Sequence, residues 1–310
     1  MAWVSAALCL SAGLHPVSAG NLKKALVFGK HVPGSTEPYA AADSLLAFLG
    51  RTQGFSVRIS TDSNLFNDDT LKQFQVVVWN NVMRNVLSQA QQEAFTRYME
   101  NGGGYVGFHA AATNRRIWPW YVDDFLGGDN HDSASIAWGN TTLYADTLKR
   151  PGHGTGADHY IMQGIPKVIP QYGEWYNWNP NPADNPAITV LQWYQPRPIK
   201  AAWPQALPVS WCREYGMGPE KGRLFYIQAS HMDSLYVSGW YRTMVGNAMK
   251  WVAHDEGGSA GLRAGRAFVT APDLSAWGIG AVGMGAEGKH GGYRIDGRSN
   301  GRFHGRKAGE

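Results

Sequence analysis

Short apolar segments alternate with helical segments through residues 24–108, and this alternation restricts the folds that the chain can adopt. We predict strands at residues 24–29, 55–59, 75–79 and 105–108. The third is apolar at nearly every position, which is typical of a parallel strand that is covered on both faces. Strands that alternate with helices along a chain form parallel, doubly wound sheets. The sequence therefore predicts an α/β fold.

Helix-boundary signals lie between these strands. A hydroxyl residue and a proline within residues 35–38 mark one helix start. Ser88, with Gln91 in the capping-box position, starts another helix, which ends at Asn101 before a glycine. The second half of the chain is less regular, with further strands predicted at residues 140–144, 189–193, 209–215 and 223–227. A closing helix is predicted over residues 238–252.

The two ends of the chain differ from the part between them. Residues 1–19 resemble a signal peptide, with an apolar stretch and small residues at 17–19 as a cleavage site. No Lys or Arg precedes the apolar stretch, which leaves open a cytoplasmic protein with an alternative start codon. Residues 255–310 are rich in Gly and Arg and are expected to form a disordered tail. We therefore expect one folded domain over residues 22–254 and a secreted or periplasmic location.

The composition excludes several function classes. The net charge is only +4 and the basic residues are scattered, so no nucleic-acid-binding surface is expected. Beyond the signal peptide, no stretch approaches the ~18 apolar residues that a membrane span needs. Cys212 is the only cysteine after residue 19, which excludes an intrachain disulfide and a cysteine-rich metal site. The 13 Trp and 14 Tyr residues indicate either core packing or a cleft that binds sugar rings.

Two histidines follow predicted strands and are candidate catalytic residues. His109 ends the fourth strand among small residues, at the edge where open parallel sheets bind ligands. His231 follows the strand at residues 223–227 in a similar setting. An imidazole can act near neutral pH as a general base, a metal ligand or a hydrogen-bond donor. We predict that His109 and His231 act together, and one divalent metal ion bound by both is a further hypothesis. A purely structural histidine at a strand end remains the alternative.

A carboxylate between two aromatic residues is the third catalytic candidate. Glu174 precedes Trp175 and Tyr176, whose rings could stack on a sugar while the carboxylate binds its hydroxyl groups. An ordinary surface strand is the alternative. His131 follows a helical segment at residues 118–126 and a Gly-Gly turn, and is predicted to line the cleft. The remaining predicted substrate-binding residues are Asn114 and Trp118.

These segments together resemble the ThuA-like family, which is named for trehalose utilisation. The resemblance covers roughly residues 24–253 and depends on residues 102–109, 118–131, 158–159, 164–166, 174–176, 209–211, 214–216, 222–226 and His231. It implies a fold like that of the class I glutamine amidotransferases, a flavodoxin-like three-layer α/β/α sandwich with a mainly parallel sheet and an irregular, β-rich second half. Those enzymes have a cysteine nucleophile after the strand that here ends at His109, so cysteine-dependent glutaminase chemistry is not expected.

The expected function is that of a secreted hydrolase acting on a sugar or sugar-derived small molecule. Glu174 would orient the substrate or a histidine, and the two histidines would carry out the acid–base chemistry. Two alternatives stay open, a metal-dependent lactone or ester hydrolase and a non-catalytic carbohydrate-binding module. The expected partner is a carbohydrate-like small molecule, with no nucleic acid and no membrane span, and homo-oligomerisation stays open.

Overall fold

The computed structural model describes residues 23–114, 117–130, 133–149 and 154–257 of the 310-residue chain. The described residues contain nine strands, β1 (Lys23–Phe28), β2 (Phe55–Ser60), β3 (Val76–Trp79), β4 (Gly104–Phe108), β5 (Ile136–Ala145), β6 (Val168–Tyr176), β7 (Thr189–Tyr194), β8 (Leu207–Tyr215) and β9 (Gly222–Ile227). Their α-helices are α1 (Tyr39–Gln53), α2 (Asp68–Leu71), α3 (Gln89–Glu100) and α4 (Gly239–Val252).

All nine strands belong to one mixed sheet with the order β2-β1-β3-β4-β9-β8-β7-β5-β6. The five strands from β2 to β9 in this order are parallel to one another. The remaining strands pair antiparallel. Helix α1 contacts α4, and α2 contacts α3, as expected for two helical layers around a sheet. The predicted α/β fold class is therefore confirmed, and the β-rich second half forms the antiparallel part of the sheet.

Local sequence signals account for the parallel half. Every residue of β3 is buried, as its continuous apolar character predicts. Ser88 and Gln91 form the predicted capping box at the start of α3, with the Ser88 backbone N–H 2.9 Å from the Gln91 side-chain oxygen. The following Gly102 adopts a φ of 88°, a left-handed conformation that glycine permits without steric cost. The capping box and Gly102 thus define the start and the end of α3, and β4 begins two residues after Gly102.

Two connections differ from a regular alternation of strands and full-length helices. Between β2 and β3 the chain forms a 3-10 helix, Ser63–Leu65, and the four-residue α2, where Asn67 caps the helix start by accepting a hydrogen bond from the Thr70 backbone N–H. The segment predicted as helical near residue 118 forms a π-helix, Trp120–Leu126, which ends at the left-handed Gly127.

The strand β6, which carries Glu174, pairs along its whole length with β5 at the sheet edge.

Several predictions fall outside the described residues. These are the signal peptide, residues 258–310 of the tail, and His131, and all three stay predictions. The secreted or periplasmic location likewise stays a prediction. Within the part of the chain that the structure describes, no helix is both long enough and apolar enough to cross a membrane.

Candidate active site

His109 lies directly after the central strand β4, at the carboxyl edge of the parallel strands. Its φ is 42°, a left-handed conformation that is uncommon for a residue with a side chain. The Tyr226 hydroxyl donates a hydrogen bond to the His109 carbonyl oxygen over 2.6 Å, which holds this turn against β9. The His109 side chain is completely buried. A strained, buried histidine at a strand end is a common feature of functional sites.

Both ring nitrogens of His109 have defined neighbours. Nδ1 lies 2.7 Å from the carbonyl oxygen of Gln228, which can only accept, so Nδ1 carries a proton. Nε2 lies 2.7 Å from the Tyr176 hydroxyl, and the two rings stack with centroids 4.7 Å apart. Burial raises the pKa of Tyr176 well above 10, so its hydroxyl keeps its proton and can donate to Nε2. The reactive atom of His109 is therefore Nε2.

Three further ionisable side chains converge on Nε2. The Nδ1 atom of His231 lies 3.0 Å from Nε2 of His109 and 3.0 Å from Oε2 of Glu174. Glu174 Oε2 lies 3.7 Å from His109 Nε2. Glu37 Oε2 lies 3.9 Å from His109 Nε2 and 3.6 Å from His231 Nδ1. The structure thus brings together the three predicted catalytic residues and adds Glu37; we call these four residues the His109 cluster.

The topology explains this convergence. Glu37 lies in the loop between β1 and α1, and His231 follows β9, so both come from the same edge of the parallel strands as His109. Glu174 comes from the antiparallel strand β6. Tyr176, two residues further along the same strand, contacts His109. Residues that are distant in the sequence therefore meet where parallel strands end.

The electrostatics of the His109 cluster favour a positive charge beside Nε2. Burial acts to lower the pKa of His109, but the Glu37 and Glu174 carboxylates outweigh it and raise the pKa above 6.5. Burial also acts to raise the pKa of Glu174, but the neighbouring His109 and His231 imidazoles outweigh it and lower the pKa to about 2. Burial raises the pKa of Glu37, despite both histidines. The two carboxylates thus differ in their proton affinity, as in many acid–base sites.

The other predicted substrate-binding residues lie in the core or outside the described residues. Trp175 is completely buried, stacks on Tyr194 and donates a hydrogen bond to the Gly139 carbonyl oxygen, because successive strand residues point to opposite faces. Trp118 is buried against Tyr121. The structure therefore argues against sugar stacking by either tryptophan.

Asn114 is also buried and supports its own loop. Its side-chain oxygen accepts a hydrogen bond from the Trp118 backbone N–H over 2.8 Å, and its backbone N–H donates to the Asp129 carboxylate. This arrangement gives Asn114 a structural role in positioning the segment after His109. Of the predicted substrate-binding residues that the structure describes, only Tyr176 contacts the His109 cluster.

The sequence reasoning missed an exposed aromatic pair beside the site. Trp138 in β5 is 46% exposed and Tyr172 in β6 is 47% exposed, with ring centroids 6.2 Å apart. The Trp138 ring lies edge-to-face with His231 at 4.8 Å. Trp138 pairs with Glu174 across the strands, so both side chains and Tyr172 share one face. We call Trp138 and Tyr172 the aromatic platform.

Comparison with known proteins assigns the chain to a family. The sequence model of the family described as trehalose utilisation, ThuA, matches residues 24–252. The chain belongs to the ThuA family. The predicted resemblance is therefore confirmed over nearly the whole described domain. A search of curated protein sequences finds no match to the chain.

Two solved structures of ThuA-like proteins are similar to this ThuA-family chain. One, from Bacteroides uniformis, shares 26% sequence identity with a TM-score of 0.59, covering 77% of this chain and 95% of the other. Another, from Parabacteroides merdae, shares 15% identity with a TM-score of 0.54, covering 74% of this chain and 90% of the other. The second similarity concerns the fold alone.

The geometry of this ThuA-family chain also argues against thiol chemistry. The residue after β4 is a histidine, and Cys212 lies buried within β8, where its Sγ atom is 3.6 Å from Nε2 of His159. Burial raises the pKa of the Cys212 thiol far above its usual range, which disfavours the reactive thiolate. The chemistry of the site therefore falls to imidazole and carboxylate groups.

Proposed function

We propose that this ThuA-family protein is an enzyme that hydrolyses a sugar-derived small molecule at the His109 cluster. The observation that carries the proposal is the buried Nε2 atom of His109, which faces His231, Glu174 and Glu37 within 3.9 Å at the carboxyl edge of the sheet. His109 has a raised pKa and serves as the general base. Glu174, which stays ionised, orients the imidazole and stabilises its protonated form.

The aromatic platform supports a sugar as the substrate. Trp138 and Tyr172 present half-exposed rings next to Glu174 and His231, and such rings combine an apolar face with a polar edge. A sugar ring stacked on this platform would place its neighbouring bond close to the His109 cluster. The family description, trehalose utilisation, agrees with a carbohydrate-related substrate.

The test is turnover by the purified full chain on a panel of disaccharides that includes trehalose, with aryl glycosides, sugar lactones and acetylated sugars. A positioned general base contributes about 10²–10⁴-fold in rate, so His109→Ala should lower kcat by that factor. His31→Ala removes an exposed imidazole that lies outside the His109 cluster, in the loop between β1 and α1, and serves as the matched control. Turnover that is unchanged in His109→Ala would exclude the assignment.

Specific observations favour two other functions. The spacing of the nitrogen and oxygen atoms in the His109 cluster favours a metal-dependent lactone or ester hydrolase, for which activity must disappear on chelation and return with the ion.

The aromatic platform is also compatible with a non-catalytic sugar-binding module. That function predicts thermal stabilisation by a sugar without turnover, and loss of this stabilisation in Trp138→Ala but not in His109→Ala.

A further inference from the structure

We propose that Glu37, His109 and His231 bind one divalent transition-metal ion of the zinc class, and that Glu174 faces the open coordination position of this ion. The inference concerns the same cluster and rests on the metal-dependent alternative of the proposed function, in which His109 holds the ion and Glu174, instead of His109, takes the proton. Metal binding, however, can be measured without any substrate.

The distances between the three ligand atoms fit such an ion. His109 Nε2 and His231 Nδ1 are 3.0 Å apart, and Glu37 Oε2 lies 3.9 Å and 3.6 Å from them. A triangle with these sides has its centre about 2.1 Å from each corner, which matches the zinc–nitrogen and zinc–oxygen distances of about 2.0–2.2 Å in proteins. The ligand atoms are therefore already spaced for an ion between them.

Hydrogen bonding alone does not account for this arrangement. Nε2 of His109 offers a single bonding position, yet Tyr176, His231 and Glu174 all approach it. The opposite nitrogen, Nδ1, donates to the Gln228 carbonyl oxygen, which is the usual support of a histidine that ligates a metal. This support orients the imidazole so that Nε2 points at the centre of the cluster.

Glu37 provides the independent observation. Its side chain is only 8% exposed, and its Oε2 atom has no hydrogen-bond partner among the described residues. Leaving a buried carboxylate oxygen without a partner is costly, and a cation would remove that cost. Oε2 is the atom that approaches both histidines, so the unpartnered oxygen is aimed into the proposed site.

The charge of the cluster fits a divalent ion. Ionised Glu37 and Glu174 together with two neutral imidazoles carry two negative charges in a largely buried space. Among the described residues, both carboxylates form ion pairs with His109 and His231. A divalent ion would neutralise the carboxylates while leaving both histidines neutral, as metal ligands must be.

Glu174 distinguishes a catalytic site from a closed structural one. Two histidines and one glutamate are a known catalytic ligand set, which leaves a fourth position for water or substrate. Glu174 Oε2 lies 3.0 Å from His231 Nδ1 and 3.7 Å from His109 Nε2, which puts it beside that position. With both histidine nitrogens bound to the ion, the interactions that lower the pKa of Glu174 would be lost, and its carboxylate would accept one proton from a water bound there and leave hydroxide on the ion.

The test measures metal content and affinity in the full chain, purified without a histidine tag. After chelation and dialysis, calorimetric titration with Zn²⁺ should show one equivalent bound. Loss of a group that only supports a metal ligand typically weakens metal binding about 10–100-fold, and loss of a ligand itself should cost at least as much. We therefore expect binding to weaken by at least about 100-fold in each of the ligand variants Glu37→Gln, His109→Ala and His231→Ala. Glu174→Gln should keep one equivalent of metal and lose turnover.

Matched controls exclude non-specific effects. His31→Ala removes an exposed imidazole from the loop after β1, and Glu93→Gln removes an exposed carboxylate from α3; both variants should bind Zn²⁺ like the wild type. Thermal melts of the metal-free variants show whether each one folds. If a ligand variant fails to fold, the visible spectrum of the Co²⁺-loaded wild type gives the coordination geometry instead, and a six-coordinate spectrum identical to that of aqueous Co²⁺ would overturn the inference.

The outcomes separate this inference from the proposed function. No Zn²⁺ bound to the wild type, or unchanged affinity in Glu37→Gln, would overturn the metal site even if turnover depends on His109. One equivalent of Zn²⁺ that depends on Glu37, His109 and His231 would support the metal site even if no substrate in the panel is hydrolysed.

Discussion

Acidification is expected to destabilise the fold through His159, a partly buried histidine that lies between β8 and α4. Its Nε2 atom is 3.6 Å from Sγ of Cys212, and its ring lies edge-to-face with Trp251 at 5.0 Å. Its Nδ1 atom accepts a hydrogen bond from the Ile161 backbone N–H. A proton on Nδ1 would remove this hydrogen bond and place a positive charge in a largely buried site near the Arg223 guanidinium.

The size of the effect follows from the pKa. Burial first, and the Arg223 guanidinium second, lower the pKa of His159 from 6.5 to about 4. The unfolded state therefore binds the proton more tightly, so the contribution to stability is complete above pH 6.5 and is lost as the pH falls towards 4. One pKa unit corresponds to about 1.4 kcal/mol, so the full loss is about 3 kcal/mol, and about 2 kcal/mol is lost by pH 5.

The assay is urea unfolding at pH 8, 6 and 5, comparing the wild type with His159→Asn, whose side chain can also accept the Ile161 hydrogen bond. The groups of the His109 cluster are present in both proteins, so their pH dependence cancels in the difference. His31→Asn, which removes an exposed histidine, is the control and should follow the wild type. Equal pH dependence of the unfolding free energy in the wild type and His159→Asn would refute the reasoning.

Two further predictions concern the site. Tyr176→Phe keeps the ring stacked on His109 but removes the hydroxyl that lies 2.7 Å from Nε2. We expect a loss of about 0.5–1.5 kcal/mol in unfolding free energy and a shifted pH–rate profile; an unchanged profile would show that the hydroxyl does not affect the base. Trp138→Ala removes a ring that is 46% exposed; we expect unfolding free energy to change by less than about 0.5 kcal/mol, while calorimetry should show sugar binding weakened about 2–10-fold, as loss of a stacking contact worth about 0.5–1.5 kcal/mol implies. Equal sugar affinity in the wild type and Trp138→Ala would contradict a stacking role for the aromatic platform.

The parallel half of the fold could be predicted because its signals are local. The apolar run of β3 and the capping box of Ser88 and Gln91 require no knowledge of distant residues. His109 and His231 could be identified for a similar reason, since each follows a strand and strand ends are recognisable in the sequence. The orientation of the side chains on β6 could not be predicted, because alternation along a strand does not show which face of the strand packs on the core. Trp175 was therefore predicted to bind sugar, whereas the exposed Trp138 and Tyr172 were missed.

Glu37 illustrates a different limit of the sequence. It lies in a loop without periodicity, and its proximity to His109 arises only when β1, β4 and β9 align in one sheet. The single usable signal was its position shortly after β1, because the carboxyl ends of parallel strands share an edge. A search of every loop that follows a predicted parallel strand for carboxylates would have included it.

The His109 cluster is hard to explain as a device for stability. A left-handed residue with a side chain costs roughly 1–2 kcal/mol, and His109 adopts this conformation at a φ of 42° while completely buried. Buried charged groups are often no more stabilising than apolar residues of similar volume. Glu37 adds an oxygen without a hydrogen-bond partner among the described residues. Apart from this cluster, the centre of the sheet is built from continuous apolar strands and well-capped helices. Local stability is therefore given up at one edge of the sheet, where four ionisable side chains meet, and a chemical role of these groups accounts for that loss.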